Sequence, residues 1–289
     1  MLDRTSVEKR LSTMEIPTLP EVMTRVIEAA SSDTASAADL TAILQCDHAI
    51  SARILRIANS AFFGFQGKVD SLRRAVALIG FDTVRFLAMA TSVFDYFSGR
   101  HQNVIDVRRF WMHAVGAARA VEMLGRKLPG IFSVEACYTG ALLQDMGIIL
   151  MALEYPTEYR KVIEIASESP LYLTEIERGV LGLDHVEIGA WVAQAWHLPP
   201  LIVNLIQHSH DEPEETVKLE PEYTVVRLAH SLADISGFGF DWVSPESVLS
   251  SLYGIRLGLA PAEIDDLREA LSEMQEDATE LMDLIVLEK

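Results

Sequence analysis

Apolar residues recur at helical spacing along much of this chain. Steps of three and four positions place them on one face of a helix. The sequence has no Asn-Gly or Asp-Gly hairpin turn and no sustained alternation of the kind that indicates strands. We therefore predict an all-α protein of about a dozen helices joined by short loops. Two examples of the spacing are Ile50, Ile54, Ile57 and Ala61, and then Ile188, Trp191, Val192 and Ala195.

Polar residues mark where several of these helices begin and end. A short polar side chain followed three residues later by glutamate satisfies the free amides of a first helical turn. Ser71 stands at a further start, and Gly80 and Gly99 are placed as stops. The pattern of cap and glutamate occurs at Thr18 and Glu21, at Thr174 and Glu177, and at Asp184 and Glu187.

Two polar segments, FSGRHQN and HDEPEETVKLEPE, divide the chain. The first is a plausible joint between helical lobes, and the second is typical of an exposed acidic loop. From Pro261 onward apolar residues return at helical spacing, which indicates an amphipathic tail. We predict a two-lobed helical protein with an N-terminal lobe over residues 1–100 and a second lobe over 101–212. A C-terminal extension over 213–289 is expected to pack on the second lobe.

The charge balance and the cysteines restrict partners and location. The 289 residues include 42 acidic and 24 basic side chains, a net charge of −18. Such a field repels polyphosphate backbones, so we expect no nucleic-acid partner and favour basic protein surfaces. The charged N-terminus lacks the apolar run of a secretion signal, and no apolar run approaches the roughly 20 residues that span a bilayer. Cys46 and Cys137 form no motif, which indicates buried reduced thiols in a cytoplasmic protein without membrane contact.

Histidines and aspartates stand on several separate predicted helices. Such side chains converge in the cores of metal-carboxylate bundles, and borderline divalent metals favour mixed nitrogen and oxygen ligands. Taken singly, each histidine is better explained as a core residue hydrogen-bonded to a neighbour, and only the order and context of the histidines favour a metal site. The candidates for a shared site are His113, Asp145, His185, His208 and Asp234.

Spacing limits which other histidines could join them. His208 and His210 are two positions apart, so on a helix they point to opposite faces and cannot both enter one site. His230 and Asp234 are four positions apart and share a face, so a hydrogen-bonded pair is natural there.

Several longer segments carry a family resemblance. IPTLPEV, CDHAISARILRIANSAFFG, SLRRAVALIGFDTVRFL, TGALLQDMG and LGLDHVEIGAWVAQAWHLPP follow one another between about Leu11 and His210. Together they resemble the HDOD domain family, a branch of the HD superfamily of metal-dependent phosphohydrolases that is regarded as non-catalytic. The resemblance implies a two-lobed helical domain of a bacterial signalling protein, in which the lobe at 101–212 is HD-like.

Set against the HD-GYP phosphodiesterases of the same superfamily, the chain keeps the five candidate ligands and departs at three positions. Gln144 replaces the histidine of the His-Asp pair, and Ser209 replaces the second of two adjacent histidines. Arg109 stands where the trimetal enzymes have an acid, and the GYP segment is missing.

These departures favour a degenerate, non-catalytic site. A glutamine amide is a weak oxygen donor to a transition metal. Arg109 lies one turn before His113 and could neutralise the carboxylates of the site. We expect a salt-bridged network in place of the metal, with no catalytic residue and no cofactor. The alternative is a residual site of Asp145, His185 and His208 that binds Mn, Fe, Zn or Mg and hydrolyses a nucleotide or cyclic dinucleotide.

The predicted function is that of a signal-transduction module. It would bind a signalling protein in trans, or a small ligand, and respond by a movement of its lobes. Asn59, Ser60, Phe62 and Phe63 are candidates for lining a groove between the lobes, although the two phenylalanines are equally well explained as core. A homodimer through the C-terminal amphipathic helix is a further option.

Overall fold

A computed structural model of the chain describes residues 37–60, 63–65, 67–80, 84, 104–169, 171–210, 220–240 and 252–279. Every structural statement below concerns these residues. The predicted cap at Thr18, the predicted stop at Gly99 and the groove candidate Phe62 lie outside them. Within the described ranges the regular structure is helical and no strand occurs, which confirms the all-α prediction.

The described residues fall into two compact units, and each is treated by itself. The smaller unit takes in the described part of 37–84 with residues 276–279, and the larger unit takes in the described part of 104–275. The smaller unit has the helices α1 (Ala37–Leu44), α2 (His48–Ala58) and α3 (Leu72–Ile79). Its apolar stripe is buried as the spacing predicts, since Ile54 and Ile57 are fully inaccessible.

Both predicted boundaries of α3 are confirmed. The Ser71 hydroxyl accepts a hydrogen bond from the backbone N–H of Arg74, as an N-cap residue does. The helix ends at Gly80, whose φ of 89° lies in the region that favours glycine.

The larger unit is a helical bundle around one long helix. That helix, α4, runs for 21 residues from a cap at Asp106 and packs against α5 and α11, while α9 packs against α6 and α10. A π-helical turn over Asp234–Phe238 follows α11 directly. The helices are α4 (Val107–Lys127), α5 (Val134–Leu143), α6 (Met146–Glu154), α7 (Pro156–Glu168), α8 (Leu173–Leu181), α9 (His185–Ala195), α10 (Pro200–Gln207), α11 (Pro221–Ala233) and α12 (Pro261–Ser272).

The start of α9 forms as predicted, but the start of α8 does not. At α9 the Asp184 carboxylate accepts from the Glu187 N–H at 2.9 Å, and the Glu187 carboxylate accepts from the Asp184 N–H at 3.2 Å. The predicted cap at Thr174 is wrong, because α8 begins at Leu173 and Thr174 lies inside its first turn. Glu177, predicted as the capping acid, is instead fully buried in the bundle.

Helices α6 and α9 approach each other unusually closely at their first turns. A Cβ atom added to Gly147 would lie 2.0 Å from the carbonyl oxygen of His185, closer than van der Waals contact allows. Glycine is therefore required at this point of α6. The approach brings the residue that precedes α6, Asp145, beside the first residue of α9.

One segment of the larger unit is long and apolar enough to cross a membrane. It is Val134–Glu154, which covers α5 and α6, and its most apolar window has a mean hydropathy of 1.4. In the described structure 89% of that window is buried inside the bundle, which is how core helices of a folded unit behave. The prediction from the sequence concerned an uninterrupted apolar run, and Glu135, Gln144 and Asp145 interrupt this segment.

The two cysteines differ in exposure. Cys137 is buried in α5, whereas Cys46 is exposed in the turn that follows α1. The prediction of two buried thiols is therefore wrong for Cys46, since turn residues lie at the surface.

Candidate metal centre

The centre of the site is Asp145, a residue 97% buried at the start of α6. Its Oδ2 lies 3.2 Å from His113 Nε2 and 4.0 Å from His230 Nδ1. Its Oδ1 lies 3.4 Å from His210 Nε2 and 3.6 Å from His185 Nε2. One carboxylate is thus surrounded by four imidazoles, two on each oxygen.

His113 and His230 face each other from the packed helices α4 and α11. Their inner nitrogens, His113 Nε2 and His230 Nδ1, are 3.0 Å apart. Their outer nitrogens both face Asp234, one turn after His230: His113 Nδ1 lies 3.3 Å from Oδ1 and His230 Nε2 lies 3.7 Å from Oδ2. Because an ionised carboxylate only accepts, Asp234 favours a proton on each outer nitrogen.

His185 is held from behind by a buried glutamate. The Glu177 Oε2 atom accepts from His185 Nδ1 at 2.6 Å and from the His185 backbone N–H at 2.9 Å. The Tyr159 hydroxyl donates to Oε1 of the same carboxylate at 2.5 Å. Glu177 therefore keeps a proton on His185 Nδ1 and directs Nε2 toward Asp145.

His210 is held in the same sense by a serine. The Ser209 hydroxyl donates its own proton to the Ile206 carbonyl at 2.8 Å. Its oxygen is therefore free to accept from His210 Nδ1, which lies 2.8 Å away. This leaves the Nε2 lone pair of His210 facing Asp145.

The four histidines therefore share one arrangement: the outer nitrogen faces an acceptor, and the inner nitrogen faces Asp145. Both oxygens of Asp145 are buried without a hydrogen bond of good geometry, and so is His185 Nε2. Lone pairs that converge on a buried carboxylate are unfavourable unless protons or a cation lie among them.

The pKa directions describe where protons go when no metal is bound. Burial opposes the charged form of Asp145, but its contacts with His113 and His185 hold the pKa of the carboxyl well below its ordinary value. Burial also opposes a charge on His185, yet the Glu177 and Asp145 carboxylates raise its pKa to about 10. Burial, together with the neighbouring histidines, keeps the pKa of His210 and of His230 well below the ordinary value.

The donor set fits a divalent transition metal. Two sets of three ligand atoms share Asp145, one with His113 and His230 and one with His185 and His210, and within each set the atoms lie within 4.8 Å of one another. Donors bound at about 2.1 Å from a tetrahedral or octahedral ion are themselves about 3.0 to 3.4 Å apart. Imidazole with carboxylate is the mixture that zinc, iron and manganese accept.

Sequence reasoning found four members of this cluster and missed two. His113, Asp145, His185 and Asp234 come together as predicted. The prediction for His208 is wrong: its ring packs against Tyr223 at 5.3 Å between centroids, and His210 enters the cluster instead. Helix α10 ends at Gln207, and only one of the two histidines enters the cluster, which agrees with the prediction that both cannot.

His230 was recognised only as a partner of Asp234, and Glu177 was taken for a cap. The four-residue spacing of His230 and Asp234 was a signal that could have found His230, whereas Glu177 has the spacing of a capping acid and gave none. Tyr159 gave no signal in the sequence.

The three departed positions have different environments. Gln144 is fully buried, and its Nε2 lies 3.2 Å from His230 Nδ1. Ser209 orients His210, as described above. Arg109 is exposed in the first turn of α4, where its backbone N–H binds the Asp106 cap. The expectation that Arg109 neutralises Asp145 is not met, because the groups beside that carboxylate are histidines.

The groove candidates lie in the smaller unit. The Asn59 side chain donates to the carbonyls of Leu55 and Val69 at 2.8 and 2.7 Å and accepts from the Val69 N–H at 3.0 Å. It therefore ties the end of α2 to residue 69 and has no amide proton left for a ligand. Ser60 is buried, and Phe63 is half-buried. A groove between the lobes remains a prediction.

Comparison with known proteins gives the chain relatives along most of its length. The model of the HDOD domain family matches residues 16–212. An uncharacterised protein of Treponema pallidum (strain Nichols) is 25% identical over 218 residues, which is 75% of this chain and 42% of that protein. The chain therefore spans less than half the length of this relative. His230 and Asp234 lie beyond the residues that the family model matches.

Three solved structures share the fold. An HDOD domain protein of unknown function from Geobacter sulfurreducens aligns with a TM-score of 0.78 at 21% identity over 99% of both chains. A candidate signal transduction protein of Marinobacter aquaeolei VT8 aligns with a TM-score of 0.78 at 22% identity, over 99% of this chain and 62% of its own. A candidate phosphohydrolase of Shewanella amazonensis SB2B aligns with a TM-score of 0.74 at 22% identity over 98% of both. At these identities the likeness establishes the fold alone.

Proposed function

This chain belongs to the HDOD domain family, and from that premise we propose that it is a signal-transduction module that binds a divalent metal ion in the cluster around Asp145. Binding of the metal would change the affinity of the module for a partner protein, without turnover of a phosphoester. The observation that carries the proposal is the shared orientation of the four imidazoles. Each turns its outer nitrogen to an acceptor and its inner nitrogen to one buried carboxylate.

The support for a metal rather than a network of protons alone comes from the groups behind the histidines. Glu177 is fully buried, makes no contact with Asp145 in the described contacts, and serves to orient His185. Buried carboxylates that fix the tautomer of a histidine are the usual outer partners of histidines that bind metals. This replaces the salt-bridged network that the sequence suggested, and it departs from the expectation of no cofactor.

A regulatory role is favoured over a catalytic one by the closure of the cluster. His113 and His185 are fully buried, and the ring of Phe240 lies 5.4 Å from that of His113. Gln144 supplies a neutral amide where the resembled enzymes have an imidazole. A bound metal would tie together α4, α6, α9 and α11, because four residues of the cluster lie on these helices or directly before them. We propose that this joint is the element that a partner protein senses.

The charge of the whole chain bears on the partner, and the cysteines bear on the location. A net charge of −18 favours a partner with a basic surface. We propose a cytoplasmic location, consistent with two cysteines that form no motif.

The test of metal binding is the metal content of untagged protein, measured by mass spectrometry after incubation with manganese, iron or zinc and dialysis. We expect metal near stoichiometry in the wild type and in the control His208→Gln, whose histidine lies outside the cluster. We expect its loss in His185→Gln and Asp145→Asn. Equal metal in all four proteins, or none in the wild type, would contradict the proposal.

The regulatory part is tested by hydrogen–deuterium exchange with and without the metal that binds. We expect slower exchange of the amides at the start of α6 and α9 in the metal-bound wild type and no change in Asp145→Asn. Unchanged exchange in a protein that holds its metal would separate binding from signalling and contradict the regulatory role.

The second candidate function is phosphoester hydrolysis. The observation that favours it is the partly open edge of the cluster, where the side chains of His210 and Asp234 are each 13% exposed and that of His230 is 9% exposed. A metal ion at this edge could act as a Lewis acid toward a phosphoester. Hydrolysis of bis(p-nitrophenyl) phosphate that requires metal and disappears in Asp145→Asn would favour this function over the one proposed.

A further inference from the structure

We propose that His230 replaces the histidine that Gln144 lacks, and that it completes a second metal subsite with His113 and Asp145. The inference rests on the proposed function, because it assigns the ligands of the same cluster. It goes beyond it by making His230 a ligand and Asp234 a positioning residue.

The first step is the position of the His230 ring. Gln144 precedes Asp145, and its Nε2 lies 3.2 Å from His230 Nδ1. The glutamine side chain therefore ends where an imidazole from α11 begins. His230 Nδ1 lies 3.0 Å from His113 Nε2 and 4.0 Å from Asp145 Oδ2. The imidazole nitrogen that the residue after α5 does not provide is thus supplied by α11.

The second step is the division of the Asp145 carboxylate. Its Oδ2 faces His113 and its Oδ1 faces His185 and His210, at the distances given above. A carboxylate whose two oxygens face separate sets of nitrogen donors is suited to bridge two ions, as in two-metal sites about 3.5 to 4 Å across. Both oxygens are buried, and the groups in contact with them are these histidines.

The third step is the orientation of both rings by Asp234. Its two oxygens face the outer nitrogens of His113 and His230, at 3.3 and 3.7 Å. With protons on those nitrogens, the inner pair at 3.0 Å consists of two lone pairs, which repel unless a cation or a proton separates them. Asp234 acts through the two histidines, in the way that carboxylates behind metal-bound histidines do.

This assignment can be tested by moving the imidazole from position 230 to position 144. His230→Gln removes the imidazole, and the double variant Gln144→His/His230→Gln returns it to the neighbouring position on α5. We expect about two manganese ions per chain in the wild type and in the double variant, and about one in His230→Gln, by mass spectrometry after dialysis. The control His208→Gln should match the wild type.

Two outcomes would overturn the assignment without touching the proposed function. One is an equal metal content in wild type and His230→Gln, and the other is a single ion in the wild type, since a single ion leaves no second subsite. Absence of metal from every protein would instead contradict the proposed function, and this inference with it. Where His230→Gln fails to fold, electron paramagnetic resonance of the manganese-loaded wild type decides. An exchange-coupled pair supports the bridge, and two uncoupled ions contradict it.

Discussion

The contact between α6 and α9 at Gly147 gives a test of how the cluster is assembled. Replacing Gly147 by alanine would put a Cβ atom 2.0 Å from the carbonyl oxygen of His185 and 2.7 Å from its carbonyl carbon. Ordinary contact begins near 3.4 Å, so the two first turns must separate by about 1.4 Å. Because the obstacle is backbone, no change of rotamer can relieve it.

The energetic consequence is a competition between two effects. Alanine favours a helix over glycine by about 0.5–1 kcal/mol, whereas forcing extra atoms into a packed core costs about 1–3 kcal/mol. The clash here is severe and falls on backbone, so we expect Gly147→Ala to lower the free energy of unfolding by about 1–2 kcal/mol. Since His185 moves with its backbone, metal affinity should fall by about tenfold or more.

The matched control is Gly179→Ala in α8. An added Cβ there meets nothing within 4 Å, so the same substitution should stabilise the protein by about 0.5–1 kcal/mol and leave metal affinity unchanged. Urea unfolding followed by circular dichroism gives the free energies, and titration calorimetry gives the affinities. A free energy of unfolding and a metal affinity of Gly147→Ala that equal or exceed those of the wild type would contradict the close approach of α6 and α9.

Three further predictions concern single groups. Burial raises the pKa of the Cys137 thiol far above the ordinary value, so native protein should react with Ellman's reagent at the exposed Cys46 alone, and unfolded protein at both. Tyr159→Phe removes the hydroxyl group that donates to the Glu177 carboxylate. We expect metal binding to be about 10- to 100-fold weaker by calorimetry. An unchanged metal affinity would contradict a role for this hydrogen bond. Metal must displace the proton that His185, with a pKa raised to about 10, holds below that pH. The metal affinity should therefore rise by up to about tenfold per pH unit between pH 6 and 8, and metal binding should release a proton. A metal affinity that does not change with pH, with no proton released, would contradict this.

The fold could be read from the sequence because its determinants are local. Ile54 and Ile57 are buried by the same three-residue step that predicts their helix, and Ser71, Asp184 and Gly80 act within one turn of the boundaries that they mark. Such features depend on residues close in the chain, so their physical effect is visible in the sequence. The all-α class follows from their repetition.

The site could be read only where the helix around a residue continues. His113 lies well inside α4, and its inward direction follows from the apolar face around it. His208 and His210 lie just beyond the end of α10, where helical geometry no longer applies, and the choice between them was wrong. Arg109 shares a helix face with His113 but stands in the first turn, where the side chain is exposed.

The partners behind the histidines could not be read at all. Glu177 has the spacing of a capping acid after Thr174, and nothing local distinguishes that role from a buried contact with His185. The distinction arises when α7, α8 and α9 pack and bring Tyr159 and His185 to the two oxygens of one carboxylate. His230 likewise became a candidate ligand only when α11 packed on α4.

The measurement that tests the central claim most directly is anomalous diffraction at the metal absorption edge, on crystals of untagged protein equilibrated with manganese or zinc. We predict a peak about 2.1 Å from an oxygen of Asp145 and from at least two of the surrounding histidine nitrogens, absent in crystals of Asp145→Asn. A wild-type map with no peak in the cluster, or with metal only at a histidine outside it such as His208, would contradict the account.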